Sequence, residues 1–315
     1  MTSHADQFNI HTLGQQLHTF FAPTVETVAR QTQFVRRQSP LTGLKFLQVL
    51  VFGFLERPRA TLVDLAQACH DVGVTISPQG FDERLTAKSV AFLKAMFEQA
   101  CRVFQNQQAF PVALVQQFTG IYIVDSTILS LPPPMHTEYP SCGGNGSPAS
   151  LKIQLVFEFL RGNFSQVTLQ AGRAADQAYR EYLAVITAGA LFIADLGYFS
   201  LNALQLAVQQ RAFFLLRYYP RTAVLTPEAV ALDLPTWLRT ETAAQCERAI
   251  GLGATHHLAC RLIAVRLPEA VAEERRRKAR AKARREGRGR TLSAEYTYLL
   301  GWNLFVTNVP AARLT

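Results

Sequence analysis

Two aspartates stand where a β-sheet could put carboxylates to work. Asp125 closes the apolar run GIYIVDST and Asp195 closes LFIAD, and both runs have the β-branched and aromatic content of strands. Ligand sites of α/β sheets lie at the carboxyl ends of strands, where both side chains would project if the two strands are neighbours. Like charges held close are costly unless a cation or proton relieves them. Magnesium suits such a pair, since it is commonly bound through one or two carboxylates plus phosphate oxygens and water. Two such ions can activate an attacking oxygen and stabilise a leaving oxygen at phosphorus. The plainer alternative is that each aspartate only caps or turns the chain, because both stand just before expected turns.

A second feature points to a polyanion. Arg275, Arg276, Arg277, Lys278, Arg280, Lys282, Arg284, Arg285, Arg288 and Arg290 follow one another with Glu286 as their one acid. This run carries +9, the net charge of the whole 315-residue chain, and the other 22 basic and 22 acidic residues balance. Each Lys or Arg that neutralises a phosphate releases counterions, so the run is a natural nucleic-acid contact. Its alternative is a solvated charged helix. RNA binding by the run alone would leave the paired aspartates unexplained.

Other chemistries find less support. The five cysteines form no CxxC pair. His256, His257 and Cys260 could be metal ligands, but a fourth is not found, and the alternation in HHLACRLIAVRL predicts a strand. No apolar stretch approaches the ~20 residues of a membrane helix, and MTSHADQFNIHTLGQQLH does not read as a secretion signal. A cytoplasmic protein without membrane contact is expected.

The elements that must position the aspartates follow from periodicity. Residues 1–115 read as a helical domain. LTGLKFLQVLVFGFL has helical spacing, Thr61 can cap LVDLAQACHDVG, and Ser77-Pro78 offers a second start. That outline fits either a DNA-reading helix-turn-helix or a structural bundle. Residues 116–219 give strands at GIYIVDST, LKIQLVFEFL and NFSQVTLQ, with Gly162-Asn163 as a hairpin turn. A helix from about Asp176 to Thr187, the strand LFIAD, the helix LNALQLAVQQ and the strand AFFLLRYY follow. The predicted class is α/β, a ribonuclease H-like mixed sheet, although the order alone also suits other α/β domains. Residues 220–290 look like a β-rich, basic insertion, and 291–315 return to the core with YLLGWNLFVTNVP.

VDSTILSLP, GRAADQ, FIADLGYFSLNAL, FFLLR and GWNLFVTNVP occur in this order and resemble the blocks of bacterial insertion-sequence transposases with a DDE triad. The resemblance runs from about Leu41 to the end, ADLGYF being its most specific part, and belongs to the group whose third block is Y-x2-R-x3-E-x6-K. It implies Asp125 and Asp195 as the first two acids, holding Mg2+ or Mn2+. It also implies cleavage of double-stranded DNA at element ends and joining to a target, with a homodimer in a synaptic complex and association with the nucleoid. Some members stack a flipped base on a Trp near the corresponding position of Trp302, which core packing would explain equally. None of the glutamates after Asp195 lies in the third-block setting, and AYREYL at 178–183 has the wrong spacing. The expectation is therefore a chain truncated before the third acid. It would be weakly active or inactive, or a DNA-binding or dimerising remnant that interferes with transposition.

Overall fold

The computed structural model describes residue 20 and residues 23–103, 113–144, 146–285 and 292–314. Its chain divides into two compact units, Met1–Gln105 and Asn106–Thr315.

The first unit is helical: α1 (Pro23–Gln31), α2 (Gly43–Glu56), α3 (Leu62–Asp71), α4 (Pro78–Asp82) and α5 (Ala87–Val103). The start signals act as expected. Thr61 and Asp64 form a reciprocal capping box on α3, and Ser77 caps α4 with Pro78 in its first turn. Gly73 takes φ +72 after α3, a conformation that costs glycine little. The core is aromatic, with Phe46, Phe81 and Phe92 fully buried and the Phe34 and Phe92 rings stacked at 5.1 Å. The helix-turn-helix outline is present, but its second helix has only five residues.

The second unit is built on one nine-stranded sheet. In chain order its strands are β1 (Ile121–Leu131), β2 (Ala149–Glu158), β3 (Asn163–Ala171), β4 (Leu191–Ala194), β5 (Phe213–Arg217), β6 (Val224–Leu225), β7 (Gln245–Leu252), β8 (Leu258–Arg266) and β9 (Trp302–Thr307). Their spatial order is β3-β2-β1-β4-β5-β9-β8-β7-β6. β1, β4 and β5 are parallel, while β2 and β3 form an antiparallel hairpin with Gly162 at φ +65. This is the mixed, ribonuclease H-like arrangement. α6 (Leu201–Gln209) connects β4 to β5 and buries Ala203, Leu204 and Ala207.

Two details depart from the sequence-based expectation. Asp125 lies inside the eleven-residue β1 rather than at its end. Residues 176–187 form two short 3-10 turns, Asp176–Ala178 and Glu181–Ala184, instead of one α-helix. Tyr179, which follows the first turn in an extended conformation, and Tyr182, inside the second, are both buried, and Tyr182 packs against Tyr179, Phe192 and Tyr198. The β-rich segment 220–290 stands in sequence between β5 and β9, which pair directly, and its strands widen the sheet. β6, β7 and β8 form an antiparallel series docked on β9, which enters between β5 and β8. α7 (Leu234–Thr240), α8 (Glu269–Arg285) and α9 (Ala294–Leu299) complete this part.

Glu158 shows how tightly the β1 end is organised. It is 1% exposed, and its carboxylate accepts the backbone N–H groups of Ile121, Leu160 and Arg161 at 3.2, 3.2 and 2.6 Å. One side chain thus joins the start of β1 to the β2–β3 turn.

Candidate active site

β1 and β4 pair in parallel up to Val124 opposite Ala194, so the next residue on each is Asp125 and Asp195. Their Cα atoms therefore sit about one inter-strand spacing apart, roughly 4.8 Å. Both side chains are exposed. Asp125 Oδ1 accepts the Ser126 N–H at 2.8 Å, and Asp195 Oδ1 accepts the Gly197 N–H at 2.7 Å. Neither forms an ion pair among the described residues. β4 pairs with β5 up to Ala194 opposite Leu216, so Arg217 is next in the same row. The edge thus presents Asp125, Asp195 and Arg217 side by side.

Behind this edge lies a polar network that sequence reasoning missed. Lys152 is 5% exposed and donates to Ala174 O at 2.6 Å and Asp176 Oδ1 at 2.8 Å. The same oxygen accepts Ser126 Oγ at 3.3 Å and Gln154 Nε2 at 3.1 Å. The Tyr198 hydroxyl donates to Gln154 Oε1 at 2.5 Å. Burial raises the Tyr198 phenol, the Ser126 hydrogen bond opposes this, and the charges of Asp176, Asp125 and Asp195 raise it further. Gly197 is wedged among the carboxylates, since a Cβ there would lie 3.0 Å from Asp195 Oδ1 and 3.3 Å from Asp176 Oδ2. That close approach accounts for glycine in ADLGYF. The available signal was the polar alternation of Lys152, Gln154 and Glu158 in β2, all three of which are buried.

The basic run begins at the same edge. β8 is antiparallel to β9, which is antiparallel to β5, so β8 ends where β1, β4 and β5 end. α8 follows at once and is anchored by buried Ala272 and by Arg276 Nε donating to Thr297 O at 3.3 Å. Its first half is charge-compensated. Arg276 pairs with Glu269 and Glu273 at 2.6 Å, Arg277 with Glu274 at 2.6 Å, Lys278 with Glu274 at 3.4 Å, and Arg280 with Glu273 at 3.3 Å. Arg284, Arg285 and Arg275 stand outside these pairs, and the Arg275 guanidinium is pulled below its usual range by burial and by the nearby Arg217. Arg288 and Arg290 lie outside the described residues.

Trp302 and the histidine cluster resolve differently. Trp302 is 5% exposed, at the start of β9, with the Arg266 guanidinium 4.6 Å from its ring centroid. This is core packing with one face covered, which leaves no open ring face for a base in this arrangement. His256 hydrogen-bonds Asn202 in a turn, and Cys260 is buried in β8 with its thiol pushed up to about 12 by burial. The strand reading holds for that segment.

The donor set at Asp125 and Asp195 fits a hard divalent cation: two exposed carboxylates, each with an oxygen left for a ligand. No group of three or more His, Cys, Asp or Glu able to hold a metal forms among the described residues. The pair would rely on water and phosphate oxygens for the rest of the shell.

A carboxylate pair at the parallel edge of a mixed sheet, with a basic helix beside it, has the chemistry to set a divalent cation against a polyanion. Residues 116–310 match the model of the transposase DDE domain, and the chain belongs to that family of DNA transposases. It is 28% identical over 326 aligned positions to a transposase for insertion sequence element IS231E of Bacillus thuringiensis subsp. finitimus, covering 96% of this chain and 68% of that protein. It is 29% identical to a transposase for IS1151 of Clostridium perfringens over 58% of this chain and 39% of that protein. A piggyBac transposase synaptic complex with hairpin DNA aligns at 10% identity and a TM-score of 0.44, covering 95% of this chain and 61% of that one. Membership implies DNA as partner and divalent metal dependence in general. Among the described residues no helix is long and apolar enough to cross a membrane.

Proposed function

We propose that this chain carries the catalytic edge of an insertion-sequence transposase that hydrolyses DNA at element ends and joins them to a target by transesterification. The observation that carries this is the register placing Asp125 beside Asp195 where β1 and β4 stop pairing. Asp125 and Asp195 would hold Mg2+ or Mn2+, which when bound supplies Lewis-acid activation at the scissile phosphate. Ser126 and Gly197 orient the two carboxylates through their backbone N–H groups. Arg217, Arg275 and the outer half of α8 would hold the phosphate backbone. Pairing of two copies across two ends belongs to the same proposal.

The sheet face that bears Asp125 supports a further element here. Ile123, Leu129, Leu155, Phe157, Phe164 and Leu169 lie on it, and none is buried. A helix packed on this face would bring a third carboxylate to the pair. The reading is tested by incubating the chain with labelled duplex spanning the element's ends and manganese. Metal-dependent nicking lost in Asp125→Asn supports it. DNA binding without nicking supports a second reading, a non-catalytic DNA-binding chain.

The role of α8 gives its own expected result. Replacing Arg284 and Arg285 by Gln weakens duplex binding and flattens its salt dependence by about 0.9 in log–log slope for each phosphate no longer neutralised. Arg277→Gln, which removes a residue already paired with Glu274, changes the slope little. A salt titration showing equal slopes for all these proteins would reject α8 as a phosphate-binding element.

A further inference from the structure

The Lys152–Asp176 pair is the buried charge that the proposed chemistry does not use. Lys152 is buried, Asp176 is about a quarter exposed, and their side chains meet at 2.8 Å. A buried ammonium without a partner would be strongly disfavoured, so Asp176 is required as its counter-charge. Asp176 also does more than neutralise. Its Oδ1 accepts Ser126, the residue after Asp125, while its Oδ2 faces Gly197, whose N–H holds Asp195. Gln154, donating to the same Asp176 oxygen and accepting Tyr198, ties both interactions to β2. The pair therefore touches the residue following the first acid and the turn following the second.

We propose that Asp176, held by Lys152, is a positioning residue that fixes Asp125 and Asp195 relative to each other for divalent-metal binding. The proposal rests on the reading of those two aspartates as the metal ligands. Asp176 and Ser126 project from the side of β1 opposite Asp125, because Ser126 and Asp125 are consecutive in one strand. Asp176 thus acts from behind the sheet, through Ser126 Oγ and the Gly197 turn. Its carboxylate also adds negative potential near Asp195, and Lys152 limits the repulsion this would otherwise cause. Outer partners of this kind are worth about 10- to 100-fold in metal affinity.

The test uses the 315-residue chain, manganese titrations followed by electron paramagnetic resonance, and thermal melts of the same samples. Ser126→Ala cuts the link between Asp176 and β1 without exposing a charge. It is expected to weaken manganese binding several-fold with an unchanged melting temperature, a combination that a general fall in stability does not produce. Asp176→Asn is expected to weaken binding by about 10-fold or more, and it also leaves Lys152 without its counter-charge. The double variant Lys152→Met, Asp176→Asn separates these effects. Its melting temperature should recover relative to Asp176→Asn while its manganese affinity stays low. Recovery of wild-type affinity in the double variant, or unchanged affinity in both Ser126→Ala and Asp176→Asn, overturns the proposal. Asp195→Asn is the control for the underlying reading. If it binds manganese as well as wild type, the metal assignment itself fails; if it alone loses binding, only the role of Asp176 fails.

Discussion

Asp195→Asn is expected to lower manganese affinity by about 100-fold or more, and Asp125→Asn to do the same. Removing an outer-shell partner alone costs about 10- to 100-fold, and these residues would be direct ligands, so the upper end of that range is a floor. Each substitution removes one of two anionic donors at an edge where no third ligand is grouped among the described residues. The fold should not suffer in either variant. Both side chains are exposed, and each accepts one backbone N–H, which the Asn carbonyl oxygen can accept equally well. Unchanged melting temperatures with lost metal binding are the expected pair of results, read by calorimetry and a thermal melt. Equal manganese binding by wild type and both variants would show that the two carboxylates do not share a site.

Some of this site was legible in the sequence. The runs GIYIV, before Asp125, and LFIA, before Asp195, are short and apolar, and an Asp following such a run is easily seen. Their neighbourhood was an inference from fold class, which the parallel register of β1 with β4 bears out. The network behind the pair was hidden because it reverses the usual meaning of alternation. In β2 the apolar set Leu151, Ile153, Leu155 and Phe157 lies on the more exposed face, while Lys152, Gln154 and Glu158 point inward. Hydrophobic pattern would orient the strand the other way. The inversion is sustained by specific partners, Asp176 for Lys152, Tyr198 for Gln154 and three backbone N–H groups for Glu158. Asp176, Tyr198 and Ile121 are distant in sequence from the β2 residues they hold, so no local pattern announces them. The α8 charge misled in a related way. Counting from residue 275 omits Glu269, Glu273 and Glu274, which the helical period brings against Arg276, Arg277, Lys278 and Arg280. Asn308 in the TNVP block is likewise explained by architecture, since its side chain accepts Phe214 N–H at 2.7 Å and donates to Ala212 O at 2.9 Å, extending the β5–β9 seam.

Phe192→Ala is expected to produce the largest fall in stability in the second unit. Phe192 is fully buried in the middle of β4, with ring centroids 5.6 Å from Tyr182 and 6.3 Å from Phe214. Truncating such a ring removes its transfer free energy and leaves a cavity that the paired strands on either side cannot close. The cost is about 3–5 kcal/mol, which for a unit of this size lowers the melting temperature by roughly 10 °C. Because β4 has only four residues and ends directly before Asp195, loosening it should also weaken manganese binding. Leu169→Ala provides the comparison. Leu169 is 58% exposed on the apolar face of β3, so its truncation should change stability by no more than about 0.5 kcal/mol. A melt in which Leu169→Ala costs as much as Phe192→Ala would mean that this face is covered in solution by an element packed on it, the same place proposed for the third carboxylate.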